Sequence, residues 1–182
     1  LLDQKIYIND LNNLIKKYSP NYIILPKINN KISKYKNIKN FKNFSLLKKI
    51  IDKKILMSNN LAILLTTSGS TGSPKFVRLS YENYSVNSKQ IIKSLKLKND
   101  STITTLPFHY SYGLSVINTH IISGGKIILN NHSILEEKFW NSYQKYLPNI
   151  FYGVPFMYEI LIKLNFKNFL HKNLITFTNA GG

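Results

Sequence analysis

Apolar residues along the chain switch between helical and strand spacing, and each switch marks the edge of an element. In "DLNNLIKKYSP" Leu11, Leu14, Ile15 and Tyr18 recur at helical spacing, which predicts a helix capped by Asp10 and ended by Pro20. "NYIILP" follows as a short strand closed by Pro26. The stretch "KINNKISKYKNIKNFKNF" is polar, lysine-rich and weakly periodic, and reads as a surface connection. From Leu61 the texture changes. "LAILLT" is an uninterrupted apolar run of buried-strand type, and "FVRLS" alternates like a second strand. Ser80 is placed to cap a helix through "YENYSVNSKQIIKSL", with Glu82 in its first turn.

Beyond that helix the pattern alternates. Strands are predicted at "TITTLP", "KIIL", "NIFYGV" and "LITFTN". Between them lie helices through "GLSVINTHII", ended by Gly124 and Gly125, through "ILEEKFWNSYQKY", and from Pro155 through "FMYEILIKL". Strand and helix in turn, joined by short connections, imply parallel βαβ units. The fold class expected is α/β, with layered parallel or mixed sheets and flanking helices. Ligand sites in such sheets gather at the carboxyl ends of the strands, where "TTSGSTGSPK", "PFHYSYG" and "NAGG" are expected. Residues 1–60 are read as a leading βα region with a lysine-rich connection, and residues 61–182 as an α/β subdomain carrying the glycine loop.

Composition alters this picture less than it first suggests. A formal charge of +17 points towards nucleic acid or an anionic surface. Yet Arg78 is the only arginine among 25 cationic residues, and arginine is the residue suited to bidentate base and phosphate contacts. Lys, Ile and Asn dominate loops and apolar runs alike, and their A/T-rich codons make genome bias the better explanation. No nucleic-acid partner is expected; a binding module on the basic first sixty residues is the weaker reading. Without cysteine there is no disulfide framework, thiolate metal site or cysteine nucleophile, which is compatible with a cytoplasmic protein. The apolar runs are strand-sized and far short of a membrane span. The chain begins at Leu1 and ends on Gly181 and Gly182, and is expected to be a piece of a longer polypeptide.

The chemistry concentrates in "TTSGSTGSPK". Gly69 and Gly72 permit close backbone approach to a ligand. Thr67, Ser68, Ser70, Thr71 and Ser73 bring hydroxyls, consecutive N–H groups can form an anion nest, and Lys75 adds a point charge. A polyphosphate is the natural guest. A Walker-type loop is excluded, because two residues rather than four separate the glycines, Pro74 precedes the lysine, and a strand follows. The plainer alternative is a Gly/Ser hairpin turn.

"TTSGSTGSPKFVRLSYENY" resembles the signature loop of the adenylate-forming, or AMP-binding, superfamily: acyl-CoA synthetases, adenylation domains and luciferases. Gly69, Thr71, Gly72, Pro74 and Lys75 all fall in register. "LPFHYSYGLS" is similar to the family's second motif, "GVPFMYEIL" to its Val-Pro helix start, and "NAGG" to the glycine turn ahead of the adenine site. The resemblance implies the fold of part of the large N-terminal domain, truncated at Gly182. It implies an ATP-dependent ligase that joins a carboxylic acid to AMP and releases pyrophosphate with Mg²⁺, for thioester formation. The missing "FDxS"-like string favours the acyl-CoA synthetase type, with coenzyme A as acceptor in the full-length protein, or else a carrier protein.

Carried over by position, Thr67, Ser68, Gly69, Ser70, Thr71, Gly72 and Lys75 would hold the β- and γ-phosphates, with Thr67 also on the metal and Lys75 catalytic. Tyr110 takes the catalytic place of the family's usual histidine near the adenylate, with His109 as the runner-up and a structural histidine as its plain alternative. Ala180, Gly181 and Gly182 would flank the adenine and acyl pockets. Phe151, Tyr152, Phe156 and Tyr158 read as core, and His120, His132 and His171 show no metal-ligand spacing. The family's next motif, Tyr-Gly-x-Thr-Glu, would follow Gly182. The chain by itself is therefore expected to be catalytically incomplete, and a non-catalytic homologue that binds a nucleotide or a partner is the alternative.

Overall fold

The computed structural model describes residues 1–3, 6–27, 32–51, 56–66 and 76–181. These divide into two compact units, Leu2–Ser58 and Asn59–Gly182.

In the first unit a helix, α1 (Ile8–Tyr18), buries Leu11 and Leu14. It starts earlier than the apolar spacing suggests. Tyr7 is the N-cap and makes no side-chain cap bond, so Asp10 is not the cap but a first-turn residue. There its carboxylate still complements the positive end of the helix. Strands β1 (Tyr22–Pro26), β2 (Tyr35–Asn40) and β3 (Phe44–Lys49) form an antiparallel sheet in the order β1-β3-β2. The lysine-rich stretch read as a surface connection therefore supplies β2 and the start of β3. Five of the six β2 residues are exposed, so the strand rests on its backbone ladder and leaves no alternating burial for a periodicity argument to find.

The second unit opens with a hairpin. Strand β4 (Leu61–Thr66) pairs antiparallel with β5 (Phe76–Ser80), Thr66 standing opposite Phe76. Residues 67–75 thus join two strands of a separate antiparallel pair, not of the parallel sheet that carries the other two motifs; they lie outside the described residues. Helix α2 (Tyr81–Leu95) starts in a full capping box. Ser80 Oγ accepts from the Asn83 N–H at 3.0 Å and Asn83 Oδ1 accepts from the Ser80 N–H at 2.9 Å.

The rest is a four-stranded, wholly parallel sheet in the order β7-β6-β8-β9, built from β6 (Ser101–Ile103), β7 (Lys126–Ile128), β8 (Ile150–Gly153) and β9 (Thr176–Asn179). Helices α3 (Ser111–Ile122), α4 (Glu137–Tyr146) and α5 (Pro155–Lys163) make the crossovers. The mixed α/β architecture with flanking helices is as the alternating pattern predicts. From β6 the chain moves to β7 on one side, then returns to β8 on the other and continues outward to β9. The sheet therefore has a switch point outside the carboxyl ends of β6 and β8, the place where open parallel sheets take their ligands.

Successive residues of β8 face opposite layers, as strand geometry requires. Phe151 joins Ile103, Ile128, Phe139, Trp140, Tyr143 and Leu161 in one core, while Ile150 and Tyr152 join Leu97 and Val116 in the other. The first core is aromatic: Phe139 meets Phe151 edge-on at 6.4 Å, and the Trp140 indole donates to the Ile134 carbonyl at 2.8 Å. Burying each of these large side chains contributes roughly 1.5–3 kcal/mol. Phe156, expected in the core, is instead 68% exposed. It sits in the first turn of α5, while Met157, Tyr158, Ile160 and Leu161 carry the face that packs.

Two close contacts fix α3 on its face of the sheet. At its start, Gly113 lies so near the Pro107 carbonyl that a Cβ there would stand 2.3 Å from the oxygen. At its end, His120 is fully buried and bridges the loop before β6 to β8. Its Nδ1 meets the Asp100 carbonyl, an obligate acceptor, at 3.0 Å, so Nδ1 carries the proton. Nε2 then accepts from the Tyr152 hydroxyl at 3.1 Å. Gly125 closes the arrangement: a Cβ would stand 2.4 Å from the Asp100 oxygen and 2.7 Å from His120 Nδ1. Burial holds the His120 pKa below its ordinary value of 6.5, with the Asp100 carbonyl and carboxylate opposing the shift.

Gly113→Ala should cost ~1–3 kcal/mol through overpacking against backbone that has nowhere to move; an unchanged melting temperature contradicts the contact. His120 also sets a pH dependence. Its folded-state pKa is depressed, so its contribution is complete above 6.5 and declines as pH falls below 6.5, where the unfolded chain takes up the proton first. The stability slope from pH 7.5 to 5.5 should be shallower in His120→Gln, although that variant is less stable at pH 7.5. Equal slopes contradict the buried neutral imidazole.

Candidate functional site

The two described motif segments come together at the switch point. After β6 the chain turns away from the strand. Thr104 Oγ1 donates to the Asn130 carbonyl at 2.9 Å, and the Thr105 hydroxyl donates to the Tyr152 carbonyl at 2.5 Å. These bonds end β6 at Ile103, four residues before the predicted strand limit at Pro107. Pro107 then heads a tight turn, with the Tyr110 N–H donating to the Pro107 carbonyl at 3.2 Å, and α3 begins. Tyr110 is the N-cap residue, half exposed, with its ring 4.4 Å from that of His109. The first N–H groups of a helix have no partners inside it, so α3 opens donor-end first beside the carboxyl end of β6.

One turn on, Tyr112 points inward. Its hydroxyl shares a 2.7 Å hydrogen bond with Thr178 Oγ1 of β9, and its ring meets Tyr152 edge-on at 6.3 Å. Burial raises the Tyr112 pKa, its bond to Thr178 opposing, so it stays a neutral phenol. Tyr158 crosses from the other face, donating to the Thr178 carbonyl at 2.5 Å. Its pKa is pushed up to about 12, chiefly by burial. The ring lies over Gly153, where a Cβ would stand 2.8 Å from it. Thus β8 and β9 are clamped at their carboxyl ends, and β9 runs out through Ala180 to Gly181, which holds a left-handed φ of 81°.

Beside these contacts an open pocket of about 300 Å³ lies between α2 and α3. Ile91, Ser94 and Leu95 line it from α2, and Tyr112, Ser115, Val116 and Thr119 from α3. Tyr152 and Thr178 form its floor, with Asn179 and Ala180 at the carboxyl end of β9. A wider groove of about 740 Å³ adjoins it, between the β4–β5 hairpin, the first half of α2 and the start of α3; Ser115 lines both.

Of the residues singled out from sequence, Ala180 lines the pocket, Gly181 follows it, and His109 and Tyr110 stand at the head of α3. Tyr112 is the tyrosine of that motif that lines the pocket. Thr67, Ser68, Gly69, Ser70, Thr71, Gly72, Lys75 and Gly182 lie outside the described residues. Ile91, Leu95, Thr119, Tyr152 and Thr178 were not singled out as pocket residues, and their only sequence signal is helical or strand periodicity, which core residues share. Among the described residues no group of three His, Cys, Asp or Glu side chains could hold a metal ion. No described helix is long and apolar enough to cross a membrane.

Comparison with known proteins sets this geometry in context. A luciferin 4-monooxygenase of Nipponoluciola cruciata is 28% identical over 126 residues, covering 66% of this chain and 23% of that protein. A 2-succinylbenzoate–CoA ligase of Listeria monocytogenes is 30% identical over 122 residues, covering 66% of this chain and 26% of the ligase. The chain therefore spans about a quarter of the length of these curated relatives. The fold matches o-succinylbenzoate CoA synthetase of Bacillus subtilis, solved with its acyl-adenylate intermediate, at a TM-score of 0.60 and 23% identity over 68% of this chain and 32% of that one. It also matches the N-terminal domain of FACL13 from Mycobacterium tuberculosis, at a TM-score of 0.62 and 17% identity over 74% of this chain and 34% of that one. The model of the AMP-binding enzyme family matches residues 14–178, and the chain belongs to that family.

Proposed function

We propose that this chain is part of an ATP-dependent ligase that activates a carboxylic acid as an acyl-adenylate, releasing pyrophosphate, for transfer to a thiol. The observation that carries the reading is the pocket between α2 and α3, which reaches Asn179 and Ala180 at the carboxyl end of β9 in a member of the AMP-binding family. The acid's tail would lie in that pocket, with its carboxylate towards the switch point.

In the reaction a carboxylate oxygen attacks the α-phosphorus, the bond to the β-phosphate breaks, and pyrophosphate leaves. Such chemistry depends on positioning and on stabilising charge on the phosphate oxygens. We assign the β- and γ-phosphates to Thr67, Ser68, Gly69, Ser70, Thr71, Gly72 and Lys75, with the lysine as the cation that meets the growing charge. Tyr110 would close the site beside the reacting carboxylate as an aromatic wall with one hydrogen-bond donor, with His109 as the alternative. Ala180, Gly181 and Gly182 would border the adenine and the acyl group.

Mg²⁺, when bound, neutralises phosphate charge. Thr67 would offer it one hydroxyl oxygen beside the substrate phosphates. Coenzyme A is the proposed acyl acceptor, a carrier-protein thiol the alternative, and the cytoplasm the proposed location.

The whole protein should catalyse acid-dependent exchange of pyrophosphate into ATP with a panel of alkyl and aryl acids. Lys75→Ala should lower kcat/KM by about 10²–10³. No exchange with any acid, or an unaffected Lys75→Ala variant, contradicts the assignment and favours a non-catalytic role.

A further inference from the structure

Tyr158 does more in this fold than pack. Its ring belongs to the aromatic core, 6.3 Å from Phe151 and 6.3 Å from Phe177, and a phenylalanine would make the same contacts. The hydroxyl goes elsewhere. It donates to the Thr178 carbonyl of β9 at 2.5 Å, with the Phe151 carbonyl farther off at 3.4 Å. Gly153 permits this reach, because a Cβ there would stand 2.8 Å from the ring and 3.1 Å from the hydroxyl oxygen. Tyr143 of the same core offers the contrast: its buried hydroxyl has no hydrogen-bond partner among the described residues. This core therefore holds a phenol without pairing it, and burial alone does not account for the bond from Tyr158 to β9.

The end of β9 is where such a bond matters. β9 is an edge strand that pairs with β8 alone. Past Asn179 the Ala180 N–H donates to the Gly153 carbonyl at a long 3.4 Å, and Gly181 then turns the chain. A strand end supported on one side opens locally at little cost. Two tyrosines hold it from opposite layers: Tyr112 of α3 bonds the Thr178 side chain, and Tyr158 of α5 bonds its main chain. The next two residues, Asn179 and Ala180, stand at the end of the pocket.

We propose that Tyr158 is a positioning residue for adenylation, which fixes Asn179 and Ala180 against the bound acid and nucleotide through the Thr178 carbonyl. The inference rests on the adenylating reading, because it takes the end of β9 as a border of both substrates. Tyr112 lines the pocket, so its removal would mix lost contact with lost position. Tyr158 packs on the other face of the sheet and does not line the pocket, so it acts by position alone. A border that shifts slightly weakens its hold on the substrates and spoils their alignment.

The test follows pyrophosphate exchange by the whole protein with octanoate and phenylacetate, comparing wild type, Tyr158→Phe and Tyr143→Phe. Tyr158→Phe should lower kcat/KM for ATP about tenfold, through a raised KM for ATP and with each acid that supports exchange. The KM for pyrophosphate, assigned to residues 67–75, should stay as it is. A smaller folded fraction lowers the apparent kcat but moves no KM, so KM separates position from stability. Tyr143→Phe removes a phenol from the same core and should leave every KM unchanged. An unchanged KM for ATP in Tyr158→Phe overturns the inference, as does an equal rise in Tyr143→Phe, and both leave adenylation standing. Absence of exchange with every acid in the wild type overturns adenylation instead. The tether is then read by hydrogen exchange: the N–H groups of residues 179–181 should exchange faster in Tyr158→Phe than in wild type or Tyr143→Phe. Equal rates overturn it.

Discussion

The buried hydrogen-bond chain from the Asp100 carbonyl through His120 to Tyr152 is the constraint on which this arrangement depends. Helix α3 supplies a whole wall of the pocket, so its distance and rotation against the sheet decide what the pocket is. His120 fixes both, because a fully buried imidazole with one donor and one acceptor has only one satisfied orientation between these partners. Gly113 and Gly125 remove the Cβ atoms that would hold the two ends of the helix off the sheet. The Tyr112–Thr178 bond then transmits the position of α3 to β9 and hence to Ala180.

Much of the element order was legible in the residues. The switch between helical and strand spacing located the crossovers after Ser101, and Ser80 announced itself as a cap. The strand–helix alternation carried the parallel sheet. What escaped were features with no periodic trace. The β2 strand exposes nearly all of its side chains, so its lysines and asparagines look like a loop. The α1 start moved from Asp10 to Tyr7 because a helix needs no side-chain cap when packing of Leu11 and Leu14 holds it.

At the site the limits differ. Motif residues stand out in the sequence because glycine, proline and lysine fall at fixed offsets, a pattern that can be reasoned from the chain. The pocket's lining carries none. Thr119 and Ile91 lie 28 residues apart, and only the packing of α2 on α3 sets them across one cavity. His120 is a similar case: as one of a few scattered histidines it suggested nothing, and its meaning comes from burial and from two distant partners, Asp100 just before β6 and Tyr152 on β8.

The most direct measurement is the structure of the whole protein with a non-hydrolysable acyl-adenylate mimic, an acyl sulfamoyl adenosine. The acyl group is expected between α2 and α3, against Tyr112 and Val116. An acyl group seated anywhere else, with the α2–α3 pocket left open, contradicts it.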